Sequence, residues 1–327
     1  MYIKELKFSL WADFIEREYL DNEFKDLIKK GIINGATSNP AIFKSAILTS
    51  SAYKEQLSVL KSLSPKQKYE AVAIFDIQKA ADILKPLYDV GNDGYVSIEV
   101  DPYLCDDADA TIEEGKRLFK QIGRENVMIK IPATEAGYIA MRELVKSKIP
   151  VNATLIFKKS QALSCANAFI EGLKSHNSKV DTVISVFVSR IDRALDERLA
   201  AGGVAVALCG IYNSSEIYSE IEKMRIEGCR VLFASTGVKG NSLKPHYYIE
   251  NLLAYNSVNT APLDTIESFY NESSLRDGVL PISSAIIKEH FKKVSDLGIA
   301  FEAVLDGQIR DGLESFKIAF KDILEAL

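Results

Sequence analysis

The sequence predicts an α/β chain folded as a single (β/α)8 TIM barrel over residues 1–327, with additional C-terminal helices over 261–327. Three observations predict it. Eight short apolar runs, several rich in Val and Ile, alternate with longer segments whose apolar residues recur at helical spacing. Several runs lack polar alternation, as parallel strands covered on both faces do. The competing doubly wound sheet usually carries a glycine-rich phosphate turn after its first strand, and neither GxGxxG nor GxxxxGK[ST] occurs. Strand–helix alternation repeated eight times then favours closure into a barrel.

Strands are expected at Leu6–Asp13, Asn34–Asn39, Tyr95–Val100, Val127–Ile131, Val151–Phe157, Thr182–Ser189, Arg230–Ser235 and, with a weaker pattern, Ser257–Thr260. Between them, helical spacing marks Glu18–Lys30, Pro65–Asp89, Ala108–Ile122, Glu135–Lys146, Lys158–Leu173, Arg190–Ala201 and Asn213–Arg225. In Pro65–Asp89 the spacing runs through Val72, Ile74, Phe75, Ile77 and Ile83. Beyond Thr260 two further helices follow, at Ala285–Leu297 and Ala300–Leu327. The last is long and amphipathic and is expected to pack on the barrel exterior; its pattern leaves its position relative to the barrel mouth open.

The bulk properties narrow the function. The chain has 327 residues, a hydrophobic fraction of 47% and a formal net charge of −5, with acids and bases interspersed. No basic block suggests nucleic acid or an anionic membrane as partner. An anionic substrate would therefore need positive charge concentrated locally. Cys105, Cys165, Cys209 and Cys229 form no CxxC pair and are expected to be reduced thiols; Cys105, in a polar loop after the third strand, is a candidate for exposure. The three histidines show no HExxH or other metal spacing, so no metal is expected. The N-terminal MYIKELKFSLWADF turns acidic too soon for a signal peptide, and no apolar run spans a membrane, so a cytoplasmic protein is expected. A monomer and a homodimer both fit the sequence.

In a barrel the C-terminal ends of the strands carry the chemistry. Here seven of the eight runs contain or end in a polar residue. The fourth, Val127-Met128-Ile129-Lys130-Ile131-Pro132, holds a lysine in an apolar strand. Such a lysine must be paired with an acid, held neutral, or both, and a neutral amine attacks carbonyls. The first run ends at Asp13 and the third holds Glu99. Asn152 and Thr154 stand two apart in the fifth and share a face, as do Ser185 and Phe187 in the sixth. Two acids and one lysine at one barrel mouth suit separated acid and base roles. The plainer reading is a buried Glu99–Lys130 ion pair that only holds the barrel.

These residues carry a family resemblance. Gly35-Ala36-Thr37-Ser38-Asn39-Pro40-Ala41-Ile42-Phe43, then Ile129-Lys130-Ile131-Pro132-Ala133-Thr134 with Glu135-Ala136-Gly137, then Val151-Asn152-Ala153-Thr154-Leu155-Ile156-Phe157, follow in one order. Together they resemble the transaldolases, of the longer bacterial type, from about Leu6 to Gly240. That family is a (β/α)8 barrel with its Schiff-base lysine on the fourth strand.

The resemblance implies a dihydroxyacetone unit moved from a ketose phosphate (sedoheptulose 7-phosphate or fructose 6-phosphate) to an aldose phosphate (glyceraldehyde 3-phosphate or erythrose 4-phosphate), in the pentose phosphate pathway. It makes Lys130 the Schiff-base lysine, Glu99 a proton shuttle through a water that Thr154 helps to hold, and Asp13 the base for the C4 hydroxyl. It gives Asn39, Asn152 and Ser185 to the substrate hydroxyls and Phe187 to the sheltered pocket wall, where related aldolases that release the three-carbon unit tend to have tyrosine. Arg190 and Ser235 match phosphate ligands. Many members carry a second arginine two residues after that serine; here Gly237 stands there, and Lys239 is the nearest cation. No cofactor is implied, since the lysine iminium is itself the electron sink. Two other readings stay open: a Schiff-base aldolase releasing free dihydroxyacetone, and a barrel that binds sugar phosphates without turnover.

Overall fold

A computed structural model describes residues 1–240, 242–275 and 277–327. Eight parallel strands close on themselves: β1 (Phe8–Ala12), β2 (Gly35–Thr37), β3 (Val96–Glu99), β4 (Val127–Pro132), β5 (Val151–Ile156), β6 (Thr182–Phe187), β7 (Cys229–Ala234) and β8 (Ser257–Ala261). Each pairs with the next, and β8 returns to β1 in the register Ser9↔Val258 to Ala12↔Ala261. Every residue of these eight strands is buried except Arg230, which is half-buried. Helices cover the outer face and side chains fill the inner one, which is why the strands show no polar alternation.

The helices with the clearest boundaries have caps written in the sequence. Pro65–Asp89 begins with a capping box in which Ser64 and Gln67 satisfy each other's backbone amides. Asp107 caps Ala108–Ile122, which ends on a left-handed Gly123. Thr134 caps Glu135–Lys146. Elsewhere the chain departs from expectation. Glu18–Lys30 breaks at Asn22 into Arg17–Asp21 and Glu23–Lys29. The helix expected from Asn213 begins at Cys209. Helices not expected form at Pro40–Thr49, Lys54–Val59, Tyr247–Asn251 and Leu263–Glu272. Among the described residues no helix is long and apolar enough to cross a membrane.

The N-terminal end of the barrel is plugged. Asp93 accepts two hydrogen bonds from the Arg230 guanidinium, both at 2.9 Å, and one from Trp11 Nε1 at 2.7 Å. Reaction chemistry is thus left to the opposite end.

That opposite end has a roof. The C-terminal helix, Phe301–Ala326, packs against Pro40–Thr49, Pro65–Asp89, Ser189–Ala201 and β5. It crosses the barrel mouth instead of lying along the exterior wall. Lys158 binds Asp306 at 2.6 Å and Glu302 at 3.4 Å near its start, and Lys44 binds Asp322 at 2.5 Å near its end. Between these ties lies Gly312. A Cβ there would stand 3.0 Å from Leu155 Cδ2, so the glycine lets the helix backbone rest on β5.

Candidate active site

A cavity of about 320 Å³ opens at the C-terminal ends of the strands, beneath the C-terminal helix. Of the residues singled out in the sequence, all but Glu99 line it; Glu99 stands behind Lys130. Parallel pairing of β3 with β4 sets Glu99 opposite Lys130.

Lys130 is 6% and Glu99 5% exposed, and Nζ lies 3.6 Å from Oε2, an ionic contact longer than a hydrogen bond. Nζ donates to the Ser38 carbonyl at 3.2 Å. Burial pushes the Glu99 carboxyl up to about 7, against the opposing pull of Lys130, with Asp13 adding to the rise. Both Glu99 carboxylate oxygens are buried without a hydrogen bond, as is the Thr154 hydroxyl on β5. Thr154 precedes Leu155, whose φ of +56° is unusual for a non-glycine residue, and the β5–β6 register shifts between Ala153 and Ile156. The backbone kink at this point is local to the cavity wall.

The other polar groups are fixed from behind. Asp13 Oδ1 accepts from the Thr37 hydroxyl at 2.7 Å, and that hydroxyl meets Thr260 Oγ1 at 2.7 Å. Asn152 bridges β3 and β6: its Nδ2 donates to Ser97 Oγ at 3.2 Å, and its Oδ1 accepts from Ser185 Oγ at 2.6 Å. Asn39 lends Oδ1 to the amide of Ile42 as cap of Pro40–Thr49, which leaves its amide nitrogen free to donate. Phe187 packs on Phe157 at 5.2 Å between ring centroids.

Positive charge gathers at one side. Arg190 lies over the Phe187 ring at 5.2 Å, and among the described residues no carboxylate pairs with it. Burial lowers its pKa from the ordinary value, and the neighbouring Arg193 guanidinium lowers it further. The Ser235 hydroxyl, on a residue with φ of +55°, lies 3.1 Å from that of Ser189 at the start of the same helix. Arg190, Arg193, Lys239 and Lys130 line the cavity against two carboxylates, Asp13 and Asp264. Two guanidiniums near a helix N-terminus, neither in ion-pair contact with a carboxylate among the described residues, give this wall the character of an anion site.

Sequence reasoning passed over Arg193, although it lies three residues from Arg190 and so on the same helix face. It also passed over Phe316 of the C-terminal helix, whose ring centroid is 5.9 Å from Lys130 Nζ. Cys105 corrects an expectation: it is 4% exposed, and burial pushes its thiol pKa up, which disfavours the reactive thiolate.

Comparison with known proteins agrees with this geometry. The family model described as transaldolase/fructose-6-phosphate aldolase matches residues 10–327. The transaldolase of Campylobacter jejuni strain RM1221 is 47% identical over 331 aligned positions, covering 98% of this chain and 99% of the relative. The transaldolase of Helicobacter pylori strain Shi470 is 41% identical over 321 positions, with the same coverage of each chain. With its barrel, its strand-four lysine and these relatives, the chain belongs to the transaldolase/fructose-6-phosphate aldolase family.

Proposed function

We propose that the chain is a cytoplasmic transaldolase that carries a dihydroxyacetone unit on Lys130 between sugar phosphates of the pentose phosphate pathway. The observation that carries this reading is the buried Lys130 amine beside Glu99, at the floor of a cavity whose far side is cationic.

The Lys130 amine attacks the C2 carbonyl of a ketose phosphate and gives a carbinolamine. Loss of water needs a group that gives and takes protons near neutrality, and Glu99 is tuned to about 7. Its bare oxygens and the bare Thr154 hydroxyl suit a bridging water between them. Asp13, oriented by Thr37, takes the C4 hydroxyl proton. The C3–C4 bond breaks, its electrons pass to the iminium, and an aldose phosphate leaves. The enamine on Lys130 then adds to an incoming aldehyde, whose oxygen takes the proton back from Asp13, and water hydrolyses the resulting iminium to free the new ketose phosphate and the amine. Asn39, Asn152 and Ser185 offer hydrogen bonds to the sugar hydroxyls, and Arg190 with Ser235 binds phosphate, Arg193 and Lys239 adding charge. Phe187 has no hydroxyl with which to protonate the enamine, which favours transfer over simple aldol cleavage.

The test is to incubate the protein with fructose 6-phosphate, reduce with borohydride and map the adduct by mass spectrometry. A three-carbon adduct on Lys130 is expected. No adduct on any lysine of the folded protein would leave a barrel that binds sugar phosphates without turning them over.

A further inference from the structure

We propose that Phe316, brought over the reacting lysine by the C-terminal helix, is a specificity-determining residue that makes the captured three-carbon unit wait for an acceptor aldehyde instead of leaving. The inference rests on the Lys130 reading above.

The helix is tied down on both sides of the mouth, by Lys158 to Asp306 and by Lys44 to Asp322. Its bare backbone at Gly312 rests on Leu155 of β5. One turn later, and therefore on the same face, comes Phe316. Its ring is 4% exposed, belongs to the same apolar cluster as Phe157, Phe187 and Ile191, and sits 5.9 Å from Lys130 Nζ. The aromatic face attracts a cation and so stabilises the iminium, which forms on both the release and the transfer route; what separates the two is the apolar cover the ring gives the enamine. The ring also has nothing with which to deliver a proton.

Release of the bound unit takes two additions. The enamine carbon gains a proton, and one water then adds at the iminium carbon; loss of the amine frees dihydroxyacetone and returns Lys130. The first of these is the step peculiar to release, and it needs water or an acid at the enamine carbon. Phe316 covers Lys130 Nζ from the C-terminal helix, while the Ser38 carbonyl and Glu99, with the water it uses, approach from the barrel. Transfer parts from release at the first step: the enamine carbon bonds to the acceptor aldehyde instead of a proton, Asp13 returns its proton to the new hydroxyl, and water then hydrolyses the product iminium as it does in release.

The test compares wild type, Phe316→Ala, Phe316→Leu and Leu305→Ala. Leu305 is a buried residue of the same helix that does not line the cavity. For each, free dihydroxyacetone formed from fructose 6-phosphate without acceptor is divided by transfer to an added aldose phosphate. Borohydride trapping on Lys130 is measured in parallel. Phe316→Ala, which opens the enamine to solvent, is expected to raise the release-to-transfer ratio about tenfold, with trapping retained. Phe316→Leu keeps the apolar cover without the ring face and gives a smaller rise; it is read alone if the alanine variant does not fold. A ratio unchanged in the folded Phe316 variants, or raised equally by Leu305→Ala, overturns the proposal. Failure of wild type to trap any adduct would instead overturn the Lys130 reading on which it rests.

Discussion

Glu99 Oε2 lies 3.6 Å from Lys130 Nζ across the β3–β4 pair, and neither Glu99 oxygen has a hydrogen bond. The two groups are coupled by charge yet remain free to exchange protons with a third party. Removing the amine separates this arrangement from a structural ion pair. Lys130→Ala should abolish transfer while the protein stays folded, measured by coupled turnover and circular dichroism; retained turnover would refute the Schiff-base mechanism.

Glu99 should set a pH limb. It is protonated below about 7 and ionised above, so its capacity to take a proton is lost as the pH falls through that value. Glu99→Gln should lower kcat about 100-fold or more, in the usual range for a lost acid–base group, and remove the limb near neutrality. The check is kcat measured on both sides of pH 7; an unchanged limb would assign it elsewhere.

Arg190 faces the cavity with no acid partner among the described residues. Arg190→Ala should raise KM for fructose 6-phosphate about 10- to 100-fold, as expected for a lost charge-assisted hydrogen bond of about 1.5–3 kcal/mol. The loss should be much smaller for unphosphorylated fructose, whose comparison tests the assignment to phosphate.

At the other end of the barrel the outcome should invert. Asp93→Ala leaves the Arg230 guanidinium without its two bonds and Trp11 without its acceptor. A loss of about 3–5 kcal/mol is expected from breaking such a pair. Denaturant melts should show it, with kcat of the folded fraction close to wild type.

Asp192 gives a pH dependence of stability with a definite sign. Buried, it accepts from the Gly210 amide at 2.7 Å and the Tyr248 hydroxyl at 2.9 Å, and burial raises its carboxyl from 3.8 to about 7. Between those values the folded chain holds a proton that the unfolded chain has lost. Stability therefore falls as pH rises through that window and levels off above it. Asp192→Asn should lose part of this slope, read from melts below and above the window.

Much of this was legible in the residues, for local reasons. Pro65–Asp89, Ala108–Ile122 and Glu135–Lys146 begin where Ser64, Asp107 and Thr134 offer caps, and a cap acts within three residues. Glu99 and Lys130 become neighbours because parallel adjacent strands set them in register. The helix at Pro40–Thr49 carries its own start signal, Asn39 as cap and Pro40 at the first position, but follows directly on a strand and reads as its tail. The roof was hidden for a different reason. An amphipathic stripe fixes which face of Phe301–Ala326 is buried and says nothing of what it is buried against, so Phe316 looked like any core aromatic. The burial of Cys105 follows from the same helix, since Tyr103 two residues earlier donates to the Lys317 carbonyl at 3.3 Å.

The closing seam between β1 and β8 has a consequence for how competence is acquired during folding. Asp13 takes its bearings across that seam: its amide bonds to the Ala261 carbonyl, and the Thr37 hydroxyl that holds its carboxylate also meets Thr260. Lys130 and Glu99 face each other from β3 and β4, two neighbouring strands, with the Ser38 carbonyl just after β2 as a further partner of Nζ. The residues proposed for sugar capture and for bond cleavage thus lie in parts of the chain with different loop-closure requirements. On the roles proposed above, the amine and its acid depend on neighbouring strands while the base draws its support from both ends of the barrel sequence, so cleavage would depend on the ring being closed.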